Sequence, residues 1–262
     1  MRARKRFGQH FLRDDAVVAR IVAAIDPQPD DALIEIGPGH GVLTFPLLRR
    51  CGRLRAIEID RNLADALARD PRAGGRLEVL TADVLTVDFG TLRGSGPRLR
   101  LVGNLPYNIS TPLLFHLLAE RDAIADMHFM LQREVVERMA AAPGSKAYGR
   151  LTVMLAPHCT VESLFDVGPA AFRPQPKVTS SVVRLVPHRT PPFPVNNQAL
   201  FASLVAAAFS QRRKTLRNAL QGIASPELMA HAGIDASLRA ERIAPGLFAA
   251  LANLLPASSG PV

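Results

Sequence analysis

Ala32-Leu33-Ile34-Glu35-Ile36-Gly37-Pro38-Gly39-His40-Gly41 is the stretch whose reading decides the fold. The first five residues make an apolar, β-branched run of buried-strand length, broken only by Glu35. Glycine then recurs at every second position, and a helical pattern follows from about Leu43 to Arg50. Strand, glycine loop and helix in that order make a nucleotide-type loop, because missing side chains let a ligand approach the backbone. The dinucleotide fingerprint G-x-G-x-x-G does not fit, since its third glycine would fall at Val42.

Outward from this loop the same unit repeats. Leu54-Arg55-Ala56-Ile57-Glu58-Ile59-Asp60 is a second strand ending in acid, about 20 residues further on, where a carboxylate can accept both hydroxyls of a ribose. Leu77-Glu78-Val79-Leu80 leads to Asp83, placed to accept from an adenine amine. Leu99-Arg100-Leu101-Val102 halts at Gly103-Asn104-Leu105-Pro106-Tyr107. Glu35, Glu58, Asp83 and Asn104 thus close successive βα units, and ligands of open α/β sheets sit at those carboxyl ends. The spacing E-x-G-x-G-x-G from Glu35 to Gly41 is that of methyltransferases that use S-adenosylmethionine.

At the fourth strand end the residue types suit attack by an aromatic amine. The exocyclic nitrogen of adenine shares its lone pair with the ring and is a poor nucleophile. The Asn104 amide oxygen and the Leu105 carbonyl can each accept one of its N–H hydrogens, which favours charge developing on the nitrogen. Pro106 stiffens the turn, and Tyr107 offers a flat face for a base.

The remaining chain completes the sheet and adds to it. Asp14 or Asp15 caps a helix over Ala16–Ile25, and a helix over Leu113–Leu118 follows Thr111-Pro112. Met127–Leu131 is a fifth strand and Glu134–Ala141 a helix, while Thr152–His158 fits helix or strand. Val161–Val167 and Ser180–Val186 read as a terminal antiparallel pair. Between them the Pro174 and Pro176 loop presents Phe172 and Lys177; a Phe there is more often a lid over the core than a ligand platform. Pro187–Pro194 is a linker. Beyond it the pattern is helical over Gln198–Phe209, Arg213–Gln221, Pro226–Ala232 and Pro245–Leu255, with Arg213 and Arg217 at i, i+4 spacing. The expected fold is α/β, with a mostly parallel Rossmann-like sheet, an antiparallel terminal strand and a small all-α C-terminal domain. The expected division is residues 1–189, a catalytic domain with a basic N-terminal arm, and 195–262, the helical domain.

Charge points to a polyanion. The 262 residues carry a formal net charge of +9, concentrated in Arg2, Arg4, Lys5, Arg6 and Arg13 and again in Arg212, Arg213, Lys214 and Arg217. Cys51 and Cys159 stand apart, with no spacing for zinc, so reduced buried thiols and no metal site are expected. No apolar run has the length of a membrane span, and the basic start is not followed by a signal-peptide core, which places the chain in the cytoplasm.

Taken together, these residues resemble the ribosomal RNA adenine dimethylase family. The likeness runs through Arg4-Lys5-Arg6-Phe7-Gly8-Gln9-His10-Phe11-Leu12, Glu35–Gly39, Asn104-Leu105-Pro106-Tyr107-Asn108-Ile109-Ser110-Thr111-Pro112, Ser145–Arg150, Phe172–Val178 and Arg212–Leu216. It implies S-adenosyl-L-methionine as cofactor, and two methyl groups placed on each of two adjacent adenosines near the 3′ end of 16S ribosomal RNA. The partner implied is the 30S subunit precursor, approached by a monomer. Carried over position by position, His10, Leu12, Gly37, Glu58, Asp83 and Asn104 contact the cofactor. Asn104 and Leu105 serve the target amine, and Tyr107 and Phe172 sandwich the base. Arg4, Lys5, Arg6, Lys146, Arg212, Arg213, Lys214 and Arg217 are the expected RNA contacts. His10 stands where many members have Asn. Alternatives are the large-subunit dimethylase of macrolide resistance, a DNA adenine methylase, and an assembly factor that has lost catalysis. Asn-Leu-Pro-Tyr, the Phe172 loop and the Arg212 helix favour the small-subunit enzyme over the large-subunit one, and intact Asn104, Tyr107, Glu58 and Asp83 argue against loss of catalysis.

Overall fold

Residues 10–106 and 109–256 are described by a computed structural model. In chain order the elements are β1 (Phe11–Leu12), α1 (Asp15–Ile25), β2 (Ala32–Ile36), α2 (Thr44–Cys51), β3 (Leu54–Glu58), α3 (Arg61–Ala68), β4 (Leu77–Thr81), α4 (Phe89–Arg93), β5 (Leu99–Asn104) and α5 (Ser110–Ala119). They continue as β6 (Ile124–Gln132), α6 (Arg133–Met139), α7 (Arg150–Leu155), β7 (Cys159–Val167), β8 (Phe172–Arg173), β9 (Ser180–Pro187), α8 (Gln198–Ser210), α9 (Leu216–Ala219), α10 (Pro226–His231) and α11 (Pro245–Leu254).

Seven strands form one sheet in the order β4-β3-β2-β5-β6-β9-β7. The pairs β2 with β3, β3 with β4, β2 with β5 and β5 with β6 are all parallel. Such strands read as near-continuous apolar runs because both faces are covered, and Leu33, Ile34, Leu99, Leu101, Met127 and Phe129 are all buried. From β2 the chain builds outward to β4, then crosses back to lay β5 on the other side of β2. That reversal is the switch point at which open sheets bind ligands. The last two strands return as an antiparallel closure: β9 runs against β6, from Met127 opposite Leu185 to Gln132 opposite Ser180, and β7 lies outside it at the edge.

Asp14 is the cap of α1, its carboxylate accepting from the N–H groups of Ala16 and Val17. The helix buries Val18, Ile21, Val22 and Ile25, one face at helical spacing.

The chain divides into two compact units, residues up to Val136 with Val161–Pro187, and Glu137–Thr160 with residues from His188 onward. This differs from a single break in the proline linker. Tyr148 and Val153 enter the second unit's own core, with Phe201, Leu204 and Phe248, and the Tyr148 hydroxyl donates to the Ile243 carbonyl at 2.7 Å. Burial pushes the Tyr148 phenol well above its ordinary range. Of Thr152–His158, which fits helix or strand by sequence, the part up to Leu155 is helical and belongs to α7. The expected helix over Arg213–Gln221 is corrected: Arg212, Arg213 and Lys214 form a turn, Thr215 is extended, and α9 begins only at Leu216. The Leu216 and Arg217 N–H groups donate to the Leu238 and Ala236 carbonyls, which holds that start in place. Arg213 and Arg217 therefore do not share a helical face.

Candidate functional site

At the end of β3, Glu58 is 4% exposed and bonded on both oxygens. One accepts the Gly39 N–H at 3.1 Å, the other the Asp60 N–H at 3.0 Å. The carboxylate thereby fixes the glycine loop and the residue that caps α3. An ionised carboxylate has about four acceptor positions, so two remain for a diol. Gly37, exposed at φ +68°, has nothing within 4 Å of where a Cβ would stand. This conformation favours glycine and leaves the space above the loop open. Asp83 caps the turn Val84–Thr86 by accepting the Leu85 N–H at 3.0 Å and is otherwise exposed. Directly after Glu58, Ile59 is 50% exposed, an apolar surface at a strand end that sequence reasoning passed over. Its signal was an isoleucine placed between two acids, just beyond a buried strand. An adenosine fits this set: acceptors for its hydroxyls and amine, an apolar surface for its ring, and a loop without side chains.

On the other side of β2, β5 ends at Gly103-Asn104. A Cβ on Gly103 would stand 2.5 Å from the Ile36 carbonyl oxygen, so only glycine lets the two strand ends approach. Asn104 Nδ2 donates to the His10 carbonyl at 3.0 Å. A carbonyl can only accept, so the amide nitrogen must face it and the amide oxygen is turned away. That oxygen has no partner among the described residues. The Leu105 N–H donates to the Met130 carbonyl at 3.2 Å, holding the turn to β6. Tyr107, like Arg4, Lys5 and Arg6, lies outside the described residues.

His10 to Arg13 bind the first unit together. The His10 ring bonds the Pro174 carbonyl at 2.8 Å, and the Arg13 N–H donates to the Ala171 carbonyl at 2.8 Å. β1 pairs antiparallel with β8, Leu12 opposite Phe172, and the Phe11 ring lies 4.5 Å from that of His40. This pairing corrects the expectation for Phe172. At 1% exposed, it packs with Leu12, Val167, Ala171 and Val182 and offers no face to a base. It is the lid over the core that its residue type suggests. Leu12 is buried on the same core, so an outward contact from it is left to its backbone.

Behind the loop, Glu35 is 2% exposed. Neither its Oε2 nor the Thr44 hydroxyl has a hydrogen-bond partner among the described residues. Burial pushes the Glu35 carboxyl up to about 7; the nearby Thr44 hydroxyl works against this, and the Glu58 charge adds a smaller push upward.

The remaining expected residues belong to the second unit. Lys146, Arg212, Arg213, Lys214 and Arg217 are all exposed. Arg212 is held by Glu241 at 2.8 Å and by the Lys146 carbonyl at 3.0 Å. Lys146 and Arg212, with Arg239 and Arg242, line a cavity of about 510 Å³, which Arg213, Lys214 and Arg217 do not line. Sequence reasoning missed Arg239 and Arg242, whose basic character is interrupted by Glu241. Among the described residues no cluster of His, Cys, Asp or Glu could hold a metal ion, and no helix is long and apolar enough to cross a membrane.

Comparison with known proteins agrees with this geometry. The chain is 53% identical over 254 residues to a Cronobacter sakazakii protein named ribosomal RNA small subunit methyltransferase A, covering 97% of this chain and 93% of that one. A Methylococcus capsulatus protein of the same name is 56% identical over 240 residues, 92% of this chain and 93% of its own. Among solved structures, a dimethyladenosine transferase from Plasmodium falciparum superposes with a TM-score of 0.78 at 26% identity, over 92% of this chain and 96% of that one. The 23S rRNA methyltransferase ErmE does so with 0.73 at 27%, over 94% and 99%. The model of the family described as ribosomal RNA adenine dimethylase matches residues 1–256, and the chain belongs to that family.

Proposed function

We propose that this protein uses S-adenosylmethionine to dimethylate N6 of two adjacent adenosines in the 3′-terminal hairpin loop of 16S ribosomal RNA, acting in the cytoplasm as a monomer on the 30S subunit precursor. The observation that carries the reading is the series of polar groups at the ends of four adjacent strands: Asp83 after β4, Glu58 on β3, Glu35 on β2 and Asn104 on β5. Acceptors for an adenosine lie on one side of the switch point, and the acceptor for a target amine on the other.

Glu58 would hold the ribose, Asp83 the adenine amine, Ile59 the face of the ring, and Gly37 the open backbone. His10 would act through the carbonyl that orients Asn104. The bound cofactor supplies an already activated methyl group on a sulfonium, so no strong base is needed. Asn104, its oxygen turned outward by the His10 carbonyl, accepts an N–H of the target amine and favours charge developing there. Leu105 contributes its backbone carbonyl and an uncharged surround that admits a singly methylated amine. The base must leave its stack to reach such a pocket. Of the aromatic pair expected to receive it, this reading keeps Tyr107, one stack being worth ~1–3 kcal/mol, and releases Phe172. Grip on the RNA falls to phosphate contacts from Arg4, Lys5 and Arg6 and from Lys146, Arg212, Arg213, Lys214 and Arg217, joined by Arg239 and Arg242.

The relatives at 53–56% identity favour the small-subunit target over the large-subunit one of ErmE. The test is methyl transfer from labelled cofactor to small subunits lacking the modification, with the positions mapped. Label on two adjacent adenosines, two methyls on each, is expected. Label only on large-subunit RNA or DNA, or none, overturns the reading.

A further inference from the structure

Glu35 has no role in the chemistry above, yet its surroundings are unusual for a carboxyl group. Glu35 lies opposite Ala56 in the β2–β3 ladder, and Glu58 is two residues beyond Ala56. The strand period of two therefore puts both acids on one face of the sheet, at neighbouring strand ends. Glu58 is bonded by two backbone N–H groups, whereas Glu35 keeps a buried oxygen with no partner among the described residues. Among the described residues, the elements around it bring no compensating cation. β3 offers Glu58, β5 sets Val102 opposite, α2 contributes the Thr44 hydroxyl, and His40 of the glycine loop is exposed. Arg100 lies at the far end of β5, engaged with Asp31 and Asp126. A buried carboxyl with an unbonded oxygen, no cation and an acid neighbour is most stable with a proton on it.

We propose that Glu35 senses the positive charge of the methyl donor: it carries a proton in the free protein and gives it up when the sulfonium cofactor is seated over the glycine loop. The inference rests on the cofactor assigned under the proposed function. S-adenosylmethionine carries one more positive charge than its thioether product, S-adenosylhomocysteine. A cation arriving near protonated Glu35 favours release of its proton, whereas the neutral thioether does not. Binding of the donor is then favoured by rising pH, and after transfer Glu35 recovers a proton from solvent and the product is held less tightly. Glu35 is a positioning and selectivity residue on this account, acting through charge.

Isothermal titration of the full chain in two buffers of different ionisation enthalpy counts the protons exchanged. The window is about pH 5.5–7, below the titration of the donor's own α-amino group. Wild type should release a proton fraction approaching one on binding S-adenosylmethionine and little on binding S-adenosylhomocysteine. Donor affinity should rise by up to about tenfold per pH unit and level off above about pH 7, while product affinity stays flat. Glu35→Gln should release none with either compound, and its donor affinity should not vary with pH. Donor binding without proton release in wild type overturns the inference alone, as does equal release by Glu35→Gln. No binding of either compound overturns the proposed function and this inference with it. Should Glu35→Gln fail to fold, the donor-against-product difference in wild type decides.

Discussion

Arg100 and Asn104 stand four residues apart on β5, at opposite ends of one strand, and they are treated in opposite ways. Every N–H of Arg100 is used: Nε and Nη2 on Asp126 at 2.9 and 3.1 Å, Nη1 on Asp31 at 2.6 Å and the Asp26 carbonyl at 3.3 Å, and Nη2 on the Ile25 carbonyl at 2.7 Å. Among the described residues Asn104 uses one donor, on His10, and keeps its oxygen turned away from it. The amino end of the sheet closes its polar groups on one another; the carboxyl end leaves acceptor capacity on Asn104, Glu58 and Asp83. A saturated buried network holds a fold, and an under-used polar group on a rigid strand end is available to a ligand.

The largest effect should come from breaking the saturated end. Arg100→Met leaves Asp126, buried on β6, without its main cation, and removing one partner of a buried pair costs about 3–5 kcal/mol. Urea unfolding should show that loss, while methyl transfer per folded molecule is retained. A loss under about 1 kcal/mol would mean that Arg184, 3.7 Å from Asp126, already suffices.

Asn104→Ala should give the mirror image. Stability should change by about 1 kcal/mol or less, for the one bond to His10, while single-turnover methyl transfer falls about 10²-fold or more. Subunit affinity, which rests on phosphate contacts, should hold. A full rate in this variant would remove Asn104 from the chemistry. Glu58 stands between the two ends, since it has bonds to make in the fold and acceptors to spare. Glu58→Ala should lower cofactor affinity at least tenfold, about 1.4 kcal/mol, and also lower stability, because the Gly39 and Asp60 N–H groups lose their acceptor.

The carboxyl end was legible in sequence because its signals are local. Glu58, Asp83 and Asn104 each follow a short apolar run and precede a turn or helix, so the period and the punctuation place them together. Arg100 was not legible: it interrupts an apolar run, and its partners Asp126 and Asp31 lie 26 and 69 residues away. Phe172 divides the two kinds of reading. Its residue type in a loop suggests a lid, as found, whereas the family's base-stacking role for it presumes an exposed ring. It is buried in a core cluster that includes Leu12, its partner across β1 and β8, a pairing no local pattern announces. The turn at Arg212–Lys214 was misread for a similar reason. Its residues suit a helix, but the late start of α9 is set by the Leu238 and Ala236 carbonyls from further along the chain.

The last expected effect is a slope with no single loss, small at any one pH step, and it compares two buried groups that titrate against each other. His128 on β6 is buried, with Nδ1 unpartnered among the described residues. Burial lowers it from 6.5 to about 4, with Asp126 opposing and Arg100 and Arg184 adding to the fall. Between about 4 and 6.5 the unfolded chain binds the extra proton at His128, so stability there rises with pH. Glu35 goes from 4.5 to about 7, so between those values the folded chain holds the extra proton and stability falls as pH rises. Each contributes a slope of at most about 1.4 kcal/mol per pH unit, and in the shared window the two oppose, leaving wild type nearly level. Glu35→Gln removes the falling limb, so its stability relative to wild type should climb with pH and stay higher above neutrality. His128→Gln removes the rising limb, and its stability should decline over the same window. Urea unfolding across a pH series measures both. If the Glu35→Gln profile ran parallel to wild type, Glu35 would not change its proton on folding, and the carboxyl end of β2 would be as settled as the amino end of β5.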